Sequence, residues 1–328
     1  MAKNQFEMNK AIGGYFSLEI SKVQNGYIHT QGVHLNSGRN ALEYILKSIP
    51  IVQRLYIPYY TCDVVLEPIN KLGIPYGYYR IDGHLELADE IKLDKDEYLL
   101  VTNYFGIKDA YIKKLAKQYG KQLIVDNAQA LYAEPLEGIK TIYSPRKFVG
   151  IPDGGIAYID NGLDIADMEQ DVSYNRCSHL LKRLDLGAEA GYNDFRANSR
   201  QLVNQPIRRM SNLSWNLLQG IDFEEVMKRR RKNFMQLHQA LSSINRLHIP
   251  ETETFACPMV YPLYISDMTL KKRLIENKIF VATYWPNVLE WCREGMLEHE
   301  LANKVIAIPI DQRYENEDMD RIINIILT

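Results

Sequence analysis

The stretch LIVDNAQALYAEPLEGIKTIYSPRKFVGIPDGG, residues 123–155, decides how this chain is read. With the two residues before it, KQLIVDNA (121–128) is a continuous apolar run that ends on an acid, the pattern of a strand buried on both faces. Asp126 stands at the carboxyl end of that strand, and Gln129 follows three residues on. A turn-rich interval then leads to Lys147, which comes after Ser-Pro-Arg and before the pair Gly154-Gly155.

Working outward, apolar strands alternate with helical patterns across residues 33–160. RLYIP (54–58), IPYGYYRID (74–82), EYLLVTN (97–103) and GGIAYID (154–160) read as strands. TCDVVLEPINKLG (61–73) reads as a helix closed by Gly, and DAYIKKLAKQYG (109–120) as an amphipathic helix with an Asp start and a Gly stop. This alternation predicts an α/β fold with a mostly parallel central sheet flanked by helices. Ligands of such sheets lie at the carboxyl ends of the strands, where Asn103 and Asp126 fall.

Residues 161–205 are polar and give no clear pattern. Beyond them a long helical stretch (206–243) precedes strand-like MVYPLYIS (259–266), a helix TLKKRLIENK (269–278) and a strand IFVATYW (279–285). The chain closes with VIAIPID (305–311) and the helix NEDMDRIINIILT (316–328). The expected organisation is an N-terminal segment (1–30) near the small domain and the active site, a large α/β domain (31–205) and a smaller α+β domain (206–328).

With 328 residues the chain is long enough for two domains. A net charge of -2 gives no global field for nucleic acid or anionic lipid. The basic run Lys228-Arg229-Arg230-Arg231-Lys232 follows Asp222, Glu224 and Glu225 and reads as a solvated helix face. Cys62, Cys177, Cys257 and Cys292 form no CxxC pair, which favours a reducing, cytoplasmic compartment without a disulfide framework. The opening MAKNQFEMNK has no apolar leader core, and no run is long enough to span a membrane. The histidines lack ligand spacing, so no metal is expected.

The absence of GxGxxG and of GxxxxGK[ST] argues against a dinucleotide or a P-loop nucleotide. One strand-end carboxylate and one loop lysine suit pyridoxal 5'-phosphate. Its aldehyde needs a lysine for a Schiff base, and its pyridine nitrogen needs a carboxylate to stay protonated. Lys147 and Asp126 are the candidates. At about 3 Å and an effective dielectric near 20, the carboxylate–pyridinium pair gains roughly 5–6 kcal/mol before desolvation. Gln129 is placed to meet the ring face or its phenolic oxygen.

The cofactor's phosphate calls for a helix N-terminus, and LNSGRNALEYILKSI (35–49) offers one. Backbone N–H groups of Gly38, Arg39 and Asn40 are the expected donors, with hydroxyls from Thr141 and Ser144. Arg39 in the first turn opposes the helix dipole unless an anion sits beside it.

Taken together these segments resemble the DegT/DnrJ/StrS-type sugar aminotransferases, which are fold-type I pyridoxal-phosphate enzymes. The resemblance covers most of the chain from Asn36 onward. NSGRNAL is similar to the family's SGTxAL segment, IPYYTCDVV to its VPxxTFxAT segment, and IVDNAQA to its DxAQA motif. TIYSPRKFVGIPDGG resembles SFxPxKxLxxGDGG, with Lys147 at the Schiff-base position and Thr141 at the phosphate-binding hydroxyl. GYNDFR (191–196) is similar to GxNxR, a loop that in the family reaches the neighbouring subunit's site, which implies a phosphate contact for Asn193. KRLIENKIFVATYWP resembles the segment that ends beside the active site.

The resemblance implies a homodimer with shared active sites and transfer of an amino group, usually from glutamate, to a keto sugar attached to a nucleotide. This chain has Cys62 where the family often stacks an aromatic on the cofactor ring, and Arg39 and Phe148 where Thr and Asn are common. GGYF (13–16) is either a pocket-lining segment or a strand with a turn. The alternatives are another pyridoxal-phosphate reaction on the same scaffold and a non-catalytic binding protein that keeps the fold.

Overall fold

The structure, a computed structural model, describes residues 12–23 and 27–328. In chain order these form β1 (Val33–Leu35), α1 (Gly38–Ser48), β2 (Arg54–Pro58), α2 (Leu66–Lys71), β3 (Tyr76–Tyr79), β4 (Glu97–Thr102), α3 (Asp109–Tyr119), β5 (Leu123–Asn127), β6 (Lys140–Tyr143) and β7 (Gly155–Tyr158). There follow α4 (Ser178–Leu186), α5 (Tyr192–Gln201), α6 (Asn212–Gln219), α7 (Phe223–Leu241), β8 (Val260–Tyr264), α8 (Leu270–Glu276), α9 (Val288–Trp291), α10 (Leu297–Lys304), β9 (Val305–Pro309) and α11 (Asn316–Leu327).

The large sheet has seven strands in the order β1-β7-β6-β5-β4-β2-β3. β3, β2, β4, β5 and β6 run parallel, and β7 is antiparallel to both of its neighbours. β5 lies at the centre and all five of its residues are buried, as its unbroken apolar run requires. Each face of the sheet has its own apolar cluster. Ile57, Leu100, Ile124 and Ile142 pack with the Ala41–Leu42–Ile45 stripe of α1. Leu99, Val101, Val125 and Tyr143 face the other way, into a cluster that continues through α7, β8 and β9. β8 and β9 form a separate two-stranded antiparallel sheet.

Several expectations are corrected. The stretch 206–243 is not one helix. Residues 206–211 are extended and bond to the first strand, with Met210 N–H donating to the His34 carbonyl and Arg208 bridged to Asn36. Gly220 and Asp222 then separate α6 from α7, where the Asp222 carboxylate caps the N–H of Glu225. Residues 279–285 form no strand and keep a single bridge, Ala282 to Ala307. The unassigned stretch 161–205 holds two helices, α4 and α5. The segment 61–73 is a short 3-10 turn followed by the six residues of α2.

The basic run of α7 is not wholly solvated. Phe223, Val226, Phe234, Leu237 and Leu241 make a buried stripe at helical spacing, and Arg230 falls inside it, only 2% exposed. Residues 1–11 and 24–26, part of the N-terminal segment expected near the small domain, lie outside the described residues. Within that segment Tyr15 and Phe16 of GGYF are exposed, while Val23 N–H donates to the Gln219 carbonyl at the end of α6. Among the described residues no helix is long and apolar enough to cross a membrane.

Candidate active site

Three chain segments converge at the carboxyl edge of the parallel strands. The carboxyl end of β5 contributes Asp126, the turn after β2 contributes Cys62, and the turn after β6 contributes Lys147. Asp126 is buried, and one carboxylate oxygen accepts from the Ala128 N–H at 2.8 Å. Burial pushes this carboxyl above its ordinary range, while the Lys147 ammonium and the Ala128 amide pull it back. The Cys62 thiol shows the same pattern: burial raises it and the Lys147 charge opposes the rise. Lys147 therefore lies within electrostatic reach of both the strand-end acid and the thiol.

Lys147 sits in a 3-10 turn, Pro145–Lys147, and its N–H donates to the Ser144 carbonyl. Proline at the first position of the turn presets the backbone that presents the lysine. Gln129 is 1% exposed. Its side-chain oxygen accepts from the Phe105 N–H at 2.9 Å, and its Nε2 has no acceptor within the described protein. A buried amide satisfied at one end only is suited to an oxygen-bearing ligand.

The helix start at α1 is tightly built. Ser37 caps it, its hydroxyl oxygen accepting from the Asn40 N–H. Gly155 passes directly beneath, where a Cβ would lie 2.1 Å from the Ser37 carbonyl oxygen, so no other residue fits there. Ser144 stands beside Gly38, whose Cβ position is 3.6 Å from the serine's own. Gly38 and Ser144 are thus brought together at the helix N-terminus.

Other expected cradle residues are committed elsewhere. The Arg39 guanidinium is answered by Glu67 at 3.4 Å and donates to the Leu202 carbonyl, so its charge in the first turn is balanced within the chain. The Asn40 N–H is taken by Ser37, and its side-chain amide donates to the Gln205 carbonyl. Thr141 is buried on the face of Val125 and Tyr143, opposite Asp126, and its hydroxyl donates to the Ile139 carbonyl. The β6 residue on the Asp126 side is Ile142, which is directly paired with Asp126. Asn193 lies exposed in the first turn of α5, so GYNDFR opens a helix rather than a loop. Asn103 is spent on the start of α3: its side chain accepts from the Lys108 N–H and donates to Asp109.

An aromatic wall stands beside Cys62, and it includes Tyr60, Tyr104 and Phe105, which with Tyr59 are the rings the sequence offers in place of the family's stacking aromatic. Tyr60 and Tyr104 pack together and against Trp285, and Tyr284 faces Phe105. Burial, with Cys62 adding to it, pushes the Tyr284 hydroxyl up to about 12. The run VATYWP reads as a strand by composition, yet it closes the segment whose family resemblance implies a place beside the active site. On the other side of the lysine turn lies a cavity of about 670 Å³. Arg146, Arg183, Arg230 and Arg313 line it, against the single carboxylate of Asp311.

The fold is the expected α/β architecture with a mostly parallel central sheet, and solved aminotransferase structures share it. No protein-family model matches the chain, and no curated protein matches it in sequence. Solved structures do match in shape. DesV from S. venezuelae in complex with a ketimine intermediate superposes with a TM-score of 0.65 at 16% identity, over 90% of this chain and 83% of that one. The sugar aminotransferase CalS13 from Micromonospora echinospora gives 0.57 at 15%, over 90% and 86%. A DegT DnrJ EryC1 StrS aminotransferase from Brucella abortus gives 0.59 at 14%, over 92% and 86%. At such identities the likeness establishes the fold.

Proposed function

We propose that this chain is a pyridoxal-phosphate-dependent aminotransferase that transfers an amino group, with glutamate as donor, to a keto sugar carried on a nucleotide. The observation that carries the reading is the buried Asp126 held in electrostatic contact with Lys147 at the carboxyl edge of the sheet. The residues fit the cofactor. Asp126 would hold the proton on the pyridine nitrogen, Lys147 would bond the aldehyde carbon through Nζ, and Gln129 Nε2 would donate to a ring oxygen. Gly38 and Ser144 would meet the phosphate at the start of α1. Bound there, the group supplies an electron sink for the carbon that gains or loses nitrogen. Freed by the incoming amine, Lys147 Nζ would carry the proton to and from that carbon. With the cofactor bound, a protonated ring nitrogen would be a countercharge offsetting the burial of Asp126.

The arginine-lined cavity supports a donor or acceptor bearing negative charge, as a dicarboxylate or a nucleotide-linked sugar does. Exposed apolar side chains on α4 and α5, with Leu184 84% and Tyr192 58% accessible, support a homodimer in which this face is covered. Asn193 lies on the same face and is the residue we assign to the neighbouring site. The extended residues 206–211 pack with the first strand, so we place the division between the two domains near 220–222. Four free cysteines support a cytoplasmic setting.

The test is the absorbance of the purified chain with added pyridoxal phosphate, before and after glutamate, beside Lys147→Ala. A visible band that glutamate converts to the pyridoxamine form, and that Lys147→Ala lacks, is expected. A band indifferent to glutamate points to another donor or reaction. No band in the unsubstituted chain overturns the proposal in favour of a binding protein.

A further inference from the structure

Arg230 projects from α7 into the middle of the molecule and is almost fully buried. Such a cation ordinarily requires a carboxylate. Its guanidinium instead donates to three neutral acceptors from three segments: the Phe148 carbonyl at 3.0 Å, the Met259 carbonyl at 3.0 Å and the Gln312 side chain at 3.2 Å. It also lies over the Phe148 ring, 4.7 Å from the centroid. Asp311, the acid of the adjoining cavity, is engaged in a two-point pair with Arg313.

These acceptors have one thing in common. Phe148 directly follows Lys147, and its carbonyl receives a second bond from Gln312 at 3.0 Å. Met259 donates its own N–H to the Phe105 carbonyl, and the Phe105 N–H is held by Gln129, three residues beyond Asp126. One planar fork therefore ties the lysine turn to the turn that follows the strand-end acid. Within its own turn the Lys147 N–H is held by the Ser144 carbonyl, and the Phe148 and Val149 N–H groups by the Pro145 carbonyl. From outside the turn, Arg230 and Gln312 hold the Phe148 carbonyl.

We infer that Arg230 is a positioning residue for Lys147, setting through Phe148 and Met259 where the lysine stands relative to Asp126. The inference rests on the reading of Lys147 as the residue that bonds the cofactor aldehyde. A lysine turn loosened on one side leaves the amine present but displaced, and small displacements of a reacting group are costly in rate. Lys cannot substitute for the fork, because one ammonium does not reach three acceptors in a plane.

Arg231 supplies the control. It makes a similar fork to the carbonyls of Thr252, Phe255 and Ala256, and none of those belongs to the lysine turn. The experiment exposes the full chain and the variants Arg230→Met, Arg231→Met and Gln312→Leu to pyridoxal phosphate. Borohydride then traps the adducts, and peptide mass mapping follows labelling at Lys147 and at surface lysines, with urea midpoints measured alongside. Arg230→Met should label Lys147 about ten- to a hundredfold more slowly than Arg231→Met, with surface lysines unchanged. Gln312→Leu, which removes one of the two donors to Phe148, should fall between.

Equal labelling of Lys147 in the two arginine variants overturns the inference and leaves the cofactor reading standing. A native chain in which Lys147 reacts no faster than surface lysines overturns both. If Arg230→Met does not fold, Gln312→Leu decides: slowed labelling upholds the role, and native labelling ends it.

Discussion

Thr141 and Ile142 are neighbours in β6, yet their side chains leave the sheet on opposite faces. The period of two in a strand makes this unavoidable. Counting back from Lys147 selects Thr141 as a phosphate hydroxyl. The register with β5 selects the other face, where the residue is apolar and Ser144 is the hydroxyl near Gly38. Thr141→Val should therefore leave cofactor affinity unchanged and lower stability by about 1 kcal/mol, the worth of its bond to Ile139. Ser144→Ala should weaken cofactor affinity severalfold with little loss of stability. Fluorescence titration and urea unfolding of the two variants separate the cases, and the reverse ranking would restore Thr141. Arg230 teaches a similar lesson. It belongs to a run of five basic residues, but it stands four places from Val226 and four from Phe234 on the buried stripe.

At the scale of elements, the start of α1 and the start of β7 form a single unit. The Ser37 cap is worth about 1 kcal/mol, so Ser37→Ala should cost that much. Gly155→Ala should cost more, on the order of 3 kcal/mol, because its Cβ would meet backbone rather than a movable side chain. Thermal melts of the two variants check the order. The strands with long apolar runs, β2, β4 and β5, were legible in the sequence within a residue or two at each end. β1 (VHL) and β6 (KTIY) were not, being short and mixed, since pairing with β7, and for β6 also with β5, makes them strands. IFVATYW has strand-like composition but faces a site rather than a ladder. Asp126 and Lys147 were legible because acid and lysine each mark the end of a recognisable segment. Arg230 and the partners of Arg39 were not, because their contacts come from 28 or more residues away or from another element.

At the scale of the whole molecule, two buried imidazole rings contribute to the pH dependence. His29 bonds the Leu131 carbonyl at 2.7 Å and the Tyr158 hydroxyl at 3.1 Å, while His34 bonds the Tyr27 hydroxyl at 2.9 Å. Burial lowers both from 6.5 to about 4, and the charge of His29 adds to the effect on His34. The unfolded chain takes up these protons near 6.5 and the folded chain resists until about 4, so their contribution is complete above 6.5 and declines as pH falls toward 4. At pH 5 the loss is about 2 kcal/mol per ring. Urea midpoints at pH 7 and pH 5 should fall accordingly. His29→Phe, which keeps the ring and removes one of the two titrations, should roughly halve the difference. An equal fall in the variant would assign the acid sensitivity to carboxylates.

The beginning of α1 also has a history in time. Its neighbours are Leu202, Gln205, Pro206 and Arg208, which lie 163 to 172 positions further along the chain. A ribosome delivers the helix first and the segment that completes its surroundings much later. Until residues 202–208 have emerged, the side-chain amides of Asn36 and Asn40 lack their carbonyl acceptors and the corner where Gly38 meets Ser144 has no outer wall. All seven strands of the large sheet precede that segment, so the nascent chain can pair its sheet while the seat of its first helix is still pending.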